Sequence, residues 1–264
     1  MKNYAKKDEV LYHVGICAQQ LEGAVYALLP GDPGRVEALA KALGPAKYIG
    51  AHREYTSWLA EVAGQPVLVC STGMGGPSVG IGVEELARLG IRNFIRVGTT
   101  GAIQERVNLG DVVINKAAVR LDGTSTHFAP LAFPAVASVH LTKALTEAAA
   151  SLKVPFHVGI SVSSDTFWPG QERYDSFTGY VCRAMQGSLK EWQALGALNY
   201  EMETAALFVI AQAFGLRAAS ICGVVAKRTE SESVAPPEVY QLASERFQRV
   251  SQKALEFLIK AGER

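Results

Sequence analysis

Short apolar segments of strand length alternate with segments of helical period along nearly the whole chain, and this alternation restricts the fold more than any other feature. We predict strands at 24–29, 56–62, 66–71, 93–97, 111–119, 156–162 and 218–226. We predict helices at 33–43, 77–89, 142–152, 203–214 and 237–260. This order of elements indicates an α/β protein with a central mixed β-sheet flanked by helices.

The organisation and charge of the chain exclude several classes of protein. No repeat, low-complexity tract or linker interrupts the 264 residues, so we expect one domain over 1–264, with 1–9 flexible. The 26 Lys and Arg residues nearly balance the 25 Asp and Glu residues, which gives no indication of a nucleic-acid partner. The N-terminus does not resemble a secretory signal, and the apolar runs are too short to cross a membrane. We therefore expect a soluble cytoplasmic protein without a membrane partner.

Cysteine and histidine residues give no indication of a metal centre. The 4 cysteines, at positions 17, 70, 182 and 222, lack the spacing of a zinc site, and a disulfide framework is not expected in a chain of this size without export. The 5 histidines form no His-Glu-x-x-His or comparable ligand set.

Two glycine-containing loops join predicted strands to predicted helices. In the first, at 30–35 (PGDPGR), backbone amides at a helix N-terminus favour an anion, to which Gly31 gives access and Arg35 could donate. An ordinary Gly-Asp-Pro turn is the alternative. The second, at 71–78 (STGMGGPS), lacks the third glycine of a dinucleotide-binding loop and the Gly-Lys-Ser/Thr of a P-loop. Dinucleotide-dependent and ATP-dependent activities are therefore disfavoured.

Charged side chains in or beside apolar segments form a second group of candidates. Arg96 interrupts an apolar strand that we expect to end at 98–101 (GTTG). Such an arginine is usually paired within the fold, but the hydroxyls and glycines that follow are also suited to bind an oxyanion. Glu201 and Glu203 could accept two neighbouring sugar hydroxyls, or they could simply be acidic residues at the start of a helix.

The segment 167–173 (FWPGQER) carries groups that could bind a planar heterocycle. The amide of Gln171 and the guanidinium fork of Arg173 could donate to the edge of such a ring, with Phe167 stacked against its face. An exposed polar loop is the alternative interpretation.

Seven blocks, taken together and in order, resemble the nucleoside phosphorylase family over nearly the whole chain, and the heterocycle block resembles the uridine branch of that family. The blocks lie at 30–35, 52–54 (HRE), 71–78, 96–102 (RVGTTGA), 164–174 (SDTFWPGQERY), 199–203 (NYEME) and 228–229 (RT). The late strand lacks the aspartate that the purine branch typically uses to protonate the base.

The resemblance implies reversible phosphorolysis of uridine to uracil and ribose 1-phosphate, as in pyrimidine salvage, with inorganic phosphate as co-substrate and no required cofactor. By position it assigns phosphate binding to Gly31, Arg35, Arg53, Arg96 and Thr99. It assigns nucleoside binding to His13, Thr100, Gly101, Phe167, Gln171, Arg173, Glu201, Met202, Glu203 and Arg228. The catalytic residues implied are Arg96, Gln171, Arg173 and Glu203.

The resemblance also implies a homo-oligomer with shared sites, expected to be a hexamer of three dimers. In this arrangement His13 and Arg53 would reach the site of a neighbouring subunit. Some relatives bind a monovalent cation at a subunit interface through the positions of Glu54 and Ser78, so K⁺ is a candidate ligand here.

Three alternatives remain beside this interpretation. A nucleosidase of the same fold would use water and would not need Arg35, Arg53 and Arg96. A purine nucleoside phosphorylase and a nucleoside-binding protein without turnover are the others. The sequence departs from the family pattern at Trp168 and at 226–227 (AK), which leaves open the acceptance of 5-substituted bases such as thymine.

Overall fold

The computed structural model describes residues 2–263; Met1, the first residue of the segment expected to be flexible, and Arg264 lie outside that range. The strands are β1 (Tyr26–Leu29), β2 (Ala46–His52), β3 (Tyr55–Val62), β4 (Gln65–Cys70), β5 (Asn93–Ala102), β6 (Val112–Leu121), β7 (Ala135–Val136), β8 (Phe156–Ser164), β9 (Asn199–Glu201) and β10 (Arg217–Lys227). The α-helices are α1 (Val36–Leu43), α2 (Gly76–Leu89), α3 (Val139–Ser151), α4 (Ser188–Ala194), α5 (Thr204–Ala213) and α6 (Pro237–Lys260).

The strands form one mixed sheet organised around β5. The first half of β5 lies between β1 and β10, which both run parallel to it, and its last residues pair with the antiparallel β9. From β10 the pairing continues through β6, β8 and β9 and returns to β5, so these five strands close into a ring. β1, β4, β3 and β2 extend from β5 as an open wing.

Helices cover the two faces of the sheet because successive strand residues point to opposite sides. Phe94 packs in a core with residues of α2 and α5, whereas Ile95 packs in a second core with residues of α1, α3 and α6. Every residue of α5 from Thr204 to Ala211 is buried, since this helix lies between the sheet and its neighbours. Helices α1, α2, α3 and α6 bury one face only.

The predicted fold class, a central mixed β-sheet flanked by helices, is confirmed; the count of one domain stays a prediction. One expectation is wrong, because β5 does not end at Gly98 but runs to Ala102. Residues 98–102 pair with β10 on one side, and 101–102 pair with β9 on the other. Thr99 and Thr100 therefore pair with β10 on one edge, and their other edge has no strand partner among the described residues.

The N-terminal residues contact α2. The backbone N–H of Ala5 donates to the carbonyl of Arg88 at 3.1 Å, and the Tyr4 ring packs against the guanidinium of Arg92 at 4.8 Å. Within residues 2–263, no helix is both long enough and apolar enough to cross a membrane.

Candidate active site

A cavity of about 690 Å³ lies beside β5, β9 and β10 and brings together most of the residues nominated from the sequence. Its lining includes Gly31, Arg35, Arg96, Thr99, Thr100, Gly101, Phe167, Gln171, Arg173, Glu201, Met202 and Glu203, together with Glu54 and Ser78. Sequence reasoning missed Tyr200, Val225, Val234 and Tyr240, which also line the cavity. Apolar and aromatic residues within strand or helix patterns cannot be distinguished from core residues by periodicity.

The loop after β1 contributes Gly31 and Arg35, which are predicted to bind phosphate, to what we call the anion-binding part of the cavity. Gly31 packs so closely against the next glycine loop that a Cβ at this position would lie 3.2 Å from the carbonyl oxygen of Gly73. The Nε and Nη1 atoms of Arg35 are buried and have no hydrogen-bond partner among residues 2–263. The nearby Asp32 carboxylate accepts from the backbone N–H of Gly34 at 2.8 Å. Unpaired buried guanidinium donors favour an anion.

Arg96 lies between two buried carboxylates. Its Nε donates to Oε2 of Glu201 at 3.1 Å, and its Nη2 forms an ion pair with Oε2 of Glu203. Gly98 gives the side chain its space, because a Cβ there would lie 2.9 Å from Nη2. Burial alone would lower the pKa of Arg96, but the charges of Glu203 and Glu201 outweigh it and raise this pKa. Arg96 is therefore a permanent cation in the cavity wall.

The two glutamates have different surroundings. Glu201 accepts from Arg96, from the hydroxyls of Ser161 and Ser163, and from the backbone N–H groups of Glu203 and Thr204. Its oxygens are thus occupied by the protein itself, which identifies Glu201 as a support for Arg96 and for the start of α5.

Glu203 retains capacity for a ligand. Its Oε1 accepts from the backbone N–H of Gly75 at 2.7 Å. Its Oε2 has the ion pair with Arg96 but no hydrogen bond to any residue in 2–263. Burial raises the pKa of Glu203, and the opposing charge of Arg96 does not cancel this effect. An acceptor with a free lone pair at this position suits a hydroxyl donor.

Phe167, Gln171 and Arg173, which are predicted to bind a base, lie together in what we call the base-binding part of the cavity. Gln171 ends a short 3₁₀ turn, Pro169–Gln171, and both Gln171 and Arg173 are buried. The Arg173 guanidinium lies 4.4 Å from the centre of the Phe167 ring, a cation–π contact that fixes both groups. Burial and the neighbouring charge of Arg228 lower the pKa of Arg173. The group forms a compact donor surface beside an aromatic face.

Two nominated residues make mainly internal contacts. The Thr100 hydroxyl donates to the carbonyl of Tyr200 at 2.6 Å and accepts from Nδ2 of Asn199 at 2.8 Å. Arg228 is not among the lining residues; its Nη1 donates to the carbonyl of Gln171 at 2.7 Å. The contact of Arg228 with a bound base stays a prediction, and its observed contacts support the turn that carries Gln171.

His13 and Arg53 lie outside the cavity of their own chain. The His13 Nδ1 lies 2.7 Å from Oε1 of Glu85. Arg53 is exposed, has a positive φ of 54°, and donates through Nη2 to the Tyr12 hydroxyl at 3.3 Å. Arg53 is therefore accessible at the surface and His13 is held by Glu85, and the contribution of either residue to a neighbouring site stays a prediction.

The departures from the family pattern also have definite places. Lys227 points away from the cavity, where its Nζ donates to Oδ1 of Asn108 at 3.1 Å and pairs with Glu230 at 2.8 Å. Ala226 lines the cavity, and Trp168 lies at the surface against Phe167 with a ring separation of 5.1 Å. Of these three, Ala226 is the one with a direct effect on the shape of the cavity.

An anion-binding part, a free carboxylate and a base-binding part within one cavity define a class of protein that binds a nucleoside beside an anion. The chain belongs to the phosphorylase superfamily, whose sequence profile matches residues 25–256. The resemblance inferred from the seven blocks is thereby confirmed.

Individual relatives agree with this assignment. The chain is 54% identical over 222 residues to the uridine phosphorylase of Escherichia coli K12, which covers 84% of this chain and 88% of that protein. It is 44% identical over 221 residues to the uridine phosphorylase of Thermococcus kodakarensis, a match that covers 84% of this chain and 79% of that protein. A guanosine phosphorylase of Halorubrum lacusprofundi is 36% identical over 205 residues, a match that covers 77% of this chain and 79% of that protein.

Proposed function

We propose that this chain catalyses the reversible phosphorolysis of uridine, with uracil and ribose 1-phosphate as products, in cytoplasmic pyrimidine salvage. The observation that carries the proposal is the cavity itself, whose lining combines Arg35, with two unbonded guanidinium nitrogens, with Glu203 and the Gln171–Arg173 donor surface. The relatives named as uridine phosphorylases, at up to 54% identity, support the same reaction.

The chemistry follows from where charge develops. When the bond between C1′ of the ribose and N1 of the base breaks, its electron pair leaves on uracil, and the ribosyl ring becomes electron-poor. Gln171 and Arg173 donate to the uracil oxygens and stabilise the departing anion, as an oxyanion hole does. Phosphate, held by Gly31, Arg35 and Arg96, forms the new bond to C1′. Uracil then takes up a proton.

Glu203 positions the sugar for this displacement. Its Oε2, which has an ion pair with Arg96 but no hydrogen bond within the protein, accepts from the ribose 2′ and 3′ hydroxyls, and the ion pair connects the sugar to the phosphate. Fixing both reactants in one orientation removes much of the entropic part of the barrier. Met202 lies beside the same position in the cavity wall.

The unpaired arginine separates this proposal from a nucleosidase of the same fold. Water as nucleophile needs no cation, whereas the two buried nitrogens of Arg35 that have no hydrogen-bond partner among residues 2–263 are suited to a ligand anion. The base-binding part distinguishes uridine phosphorolysis less clearly from the reaction of a purine nucleoside phosphorylase, since a guanosine phosphorylase is also among the relatives.

The decisive experiment measures uracil release from uridine with and without inorganic phosphate, by chromatography. We expect release only with phosphate, together with ribose 1-phosphate. Release without phosphate would indicate a nucleosidase. Faster turnover of inosine or guanosine, assayed in parallel, would move the assignment to the purine branch.

We further infer that the site is completed by a neighbouring subunit, which contributes His13 and Arg53, within a hexamer of three dimers. Mixing two variants tests the sharing directly. Arg53→Ala and Arg173→Ala should each be nearly inactive, but after dissociation and reassembly some sites would combine an intact Arg53 with an intact Arg173. Recovered activity supports a shared site, and a fully active monomer by light scattering contradicts it.

A monovalent cation at Glu54 and Ser78 is a separate proposal. The two side chains flank Gly73, where a Cβ would lie 3.0 Å from Cγ of Glu54 and 3.4 Å from Oγ of Ser78. Their oxygens are the kind of ligand that K⁺ accepts. Phosphorolysis should be faster in potassium than in tetramethylammonium salts of equal ionic strength, and Glu54→Gln should abolish the difference.

A further inference from the structure

Glu232 lies between the two arginines of the base-binding part, on the segment 228–236 that follows β10. Its Oε2 accepts from Nη1 of Arg173 at 2.6 Å and from Nε of Arg228 at 2.7 Å. Its Oε1 accepts from Nη2 of Arg228 at 2.9 Å, and its backbone carbonyl accepts from Nη1 of Arg173 at 3.1 Å. One carboxylate thus bridges two neighbouring cations.

These contacts decide which nitrogen of Arg173 faces a ligand. Nη1 is occupied twice by Glu232, and Nε faces Oε1 of Gln171 at 3.5 Å. Nη2 lies at the cavity wall, 3.6 Å from the position that a Cβ on Gly101 would occupy. Glu232 therefore orients the guanidinium so that Nη2 is left for the base.

The same carboxylate also supports the second base-reading residue, Gln171. The Arg228 side chain is held by both oxygens of Glu232, and its Nη1 donates to the backbone carbonyl of Gln171 at 2.7 Å. A two-point pair of this kind restricts the guanidinium plane as well as its distance. The backbone of Gln171 and the side chain of Arg173 thus depend on one common support.

Glu232 also compensates charge. Arg173 and Arg228 are buried and close enough that the charge of Arg228 lowers the pKa of Arg173, whereas Glu232 raises it. Glu232 itself is not among the residues that line the cavity. Its position is that of a group that acts on a ligand through other side chains.

We propose that Glu232 is the positioning residue for base recognition: it fixes Arg173 directly and Gln171 through Arg228. This inference rests on the proposed phosphorolysis of uridine. It assigns to Glu232 an effect on the uracil half of the reaction alone, because Glu232 forms no hydrogen bond or ion pair with Arg35, Arg96 or Glu203 within residues 2–263.

The test compares Glu232→Ala and Glu232→Gln with a matched control, Glu230→Gln. Glu230 lies on the same segment, but pairs with Lys227 on the side away from the cavity. For Glu232→Ala we expect kcat for uridine to fall on the order of 10-fold to 100-fold, because a displaced donor loses its alignment. Uracil should bind more weakly, while KM for phosphate stays within about twofold, the scatter expected of an uninvolved site.

Glu232→Gln keeps an acceptor oxygen for one guanidinium and should lose less activity than Glu232→Ala, whereas Glu230→Gln should match the unmodified protein. If Glu232→Ala does not accumulate as a folded protein, the same three quantities are measured on Glu232→Gln: kcat for uridine, uracil binding and KM for phosphate. A general loss of structure would move KM for phosphate as well, and that result would count against a positioning role.

The possible outcomes are distinguishable. If the unmodified protein releases no uracil with phosphate, the proposed function fails and this inference fails with it. If the unmodified protein is active but both Glu232 variants match Glu230→Gln, this inference alone is overturned. Tighter uracil binding and a higher kcat in Glu232→Ala would show that Glu232 competes with the base for Arg173, which also overturns it.

Discussion

Arg96 and Glu201 form a buried ion pair in which the guanidinium Nε lies 3.1 Å from Oε2 of the carboxylate. The two residues are brought together by the adjacent pairing of β9 with β5 and of β9 with β8. Because Glu203 shares the same guanidinium, a single cation compensates two carboxylates. The phosphate-binding role proposed for Arg96 is therefore combined with a structural one.

Replacing Arg96 should cost stability as well as phosphate binding. In Arg96→Met, Glu201 and Glu203 lose their common cation, and breaking a buried ion pair by removing one partner typically costs about 3–5 kcal/mol. Chemical denaturation should show a loss of this order. Arg96→Lys keeps the charge without the planar fork and should lose less stability. A Met variant as stable as the unmodified protein would contradict the buried pairing.

Arg35 should behave differently, because two of its guanidinium nitrogens are not bonded to the protein. Arg35→Ala should leave the unfolding free energy within about 1 kcal/mol, as at sites without internal partners. It should raise KM for phosphate roughly 10-fold to 100-fold, the range expected for a lost hydrogen bond to a charged group. Lys41→Ala, on the exposed face of α1, is the control. An unchanged KM for phosphate would remove Arg35 from the site.

Substitution of Glu201 should mainly affect stability, whereas substitution of Glu203 should mainly affect activity. Glu201→Gln places an amide among five donors, so we expect a loss of about 1–3 kcal/mol, the cost of leaving buried donors unsatisfied. Glu203→Gln disturbs fewer internal contacts and should mainly lower kcat/KM for uridine. Denaturation curves and initial rates on both variants test this division. Equal losses of stability in the two variants would contradict it.

The pH dependence of stability should report on Glu203. Its pKa in the folded protein is raised by burial, so between the ordinary carboxyl value and this raised value the folded state holds more protons than the unfolded state. Stability relative to Glu203→Gln should therefore fall as pH rises from about 4 through this window. Glu37→Gln, on the surface of α1, serves as the control. A difference that grows with pH would reverse the assigned direction.

Arg173→Ala should lower kcat for uridine by on the order of 10²–10³, as expected for loss of a preorganised donor to a leaving group. The loss should be smaller with 5-fluorouridine, because the fluorine stabilises the departing anion and reduces the need for the donor. An Arg173→Ala enzyme with near-normal turnover of both substrates would exclude this role. KM for phosphate, measured on the same samples, should change little.

Much of the fold could be predicted from local signals. α6 spans the predicted residues 237–260, and α2 begins one residue before the predicted 77 and ends at the predicted 89. Both have proline in the first turn, and Gly90 ends α2 in a left-handed conformation. β2 was missed because none of its residues is buried and it contains Gly50, so it lacks the alternating apolar pattern of a strand.

The residues that line the cavity could be predicted better than the contacts between them. Glycine loops and charged residues in apolar segments nominated most of the lining, but the sharing of Arg96 by two carboxylates joins residues 105 positions apart and leaves no local signal. The contrast between Glu201 and Glu203 depends on Ser161 and Ser163 of β8, which resemble ordinary strand residues in the sequence. Glu232 resembles any glutamate of a polar loop.

The ring of strands described above has a consequence for how this family can change its substrate. Arg96, Thr99 and Thr100 lie on β5, which pairs with β10 from Asn93 to Ala102 and with β1 and β9 near its two ends, so the residues proposed to bind phosphate and sugar are part of the framework of the protein. Gln171, Arg173 and Glu232 lie on connecting segments at the surface of that framework. Amino-acid substitutions that change which nucleoside base is bound can therefore accumulate in these segments without disturbing the framework. Base preference is then free to diverge among relatives while the shared chemistry is kept.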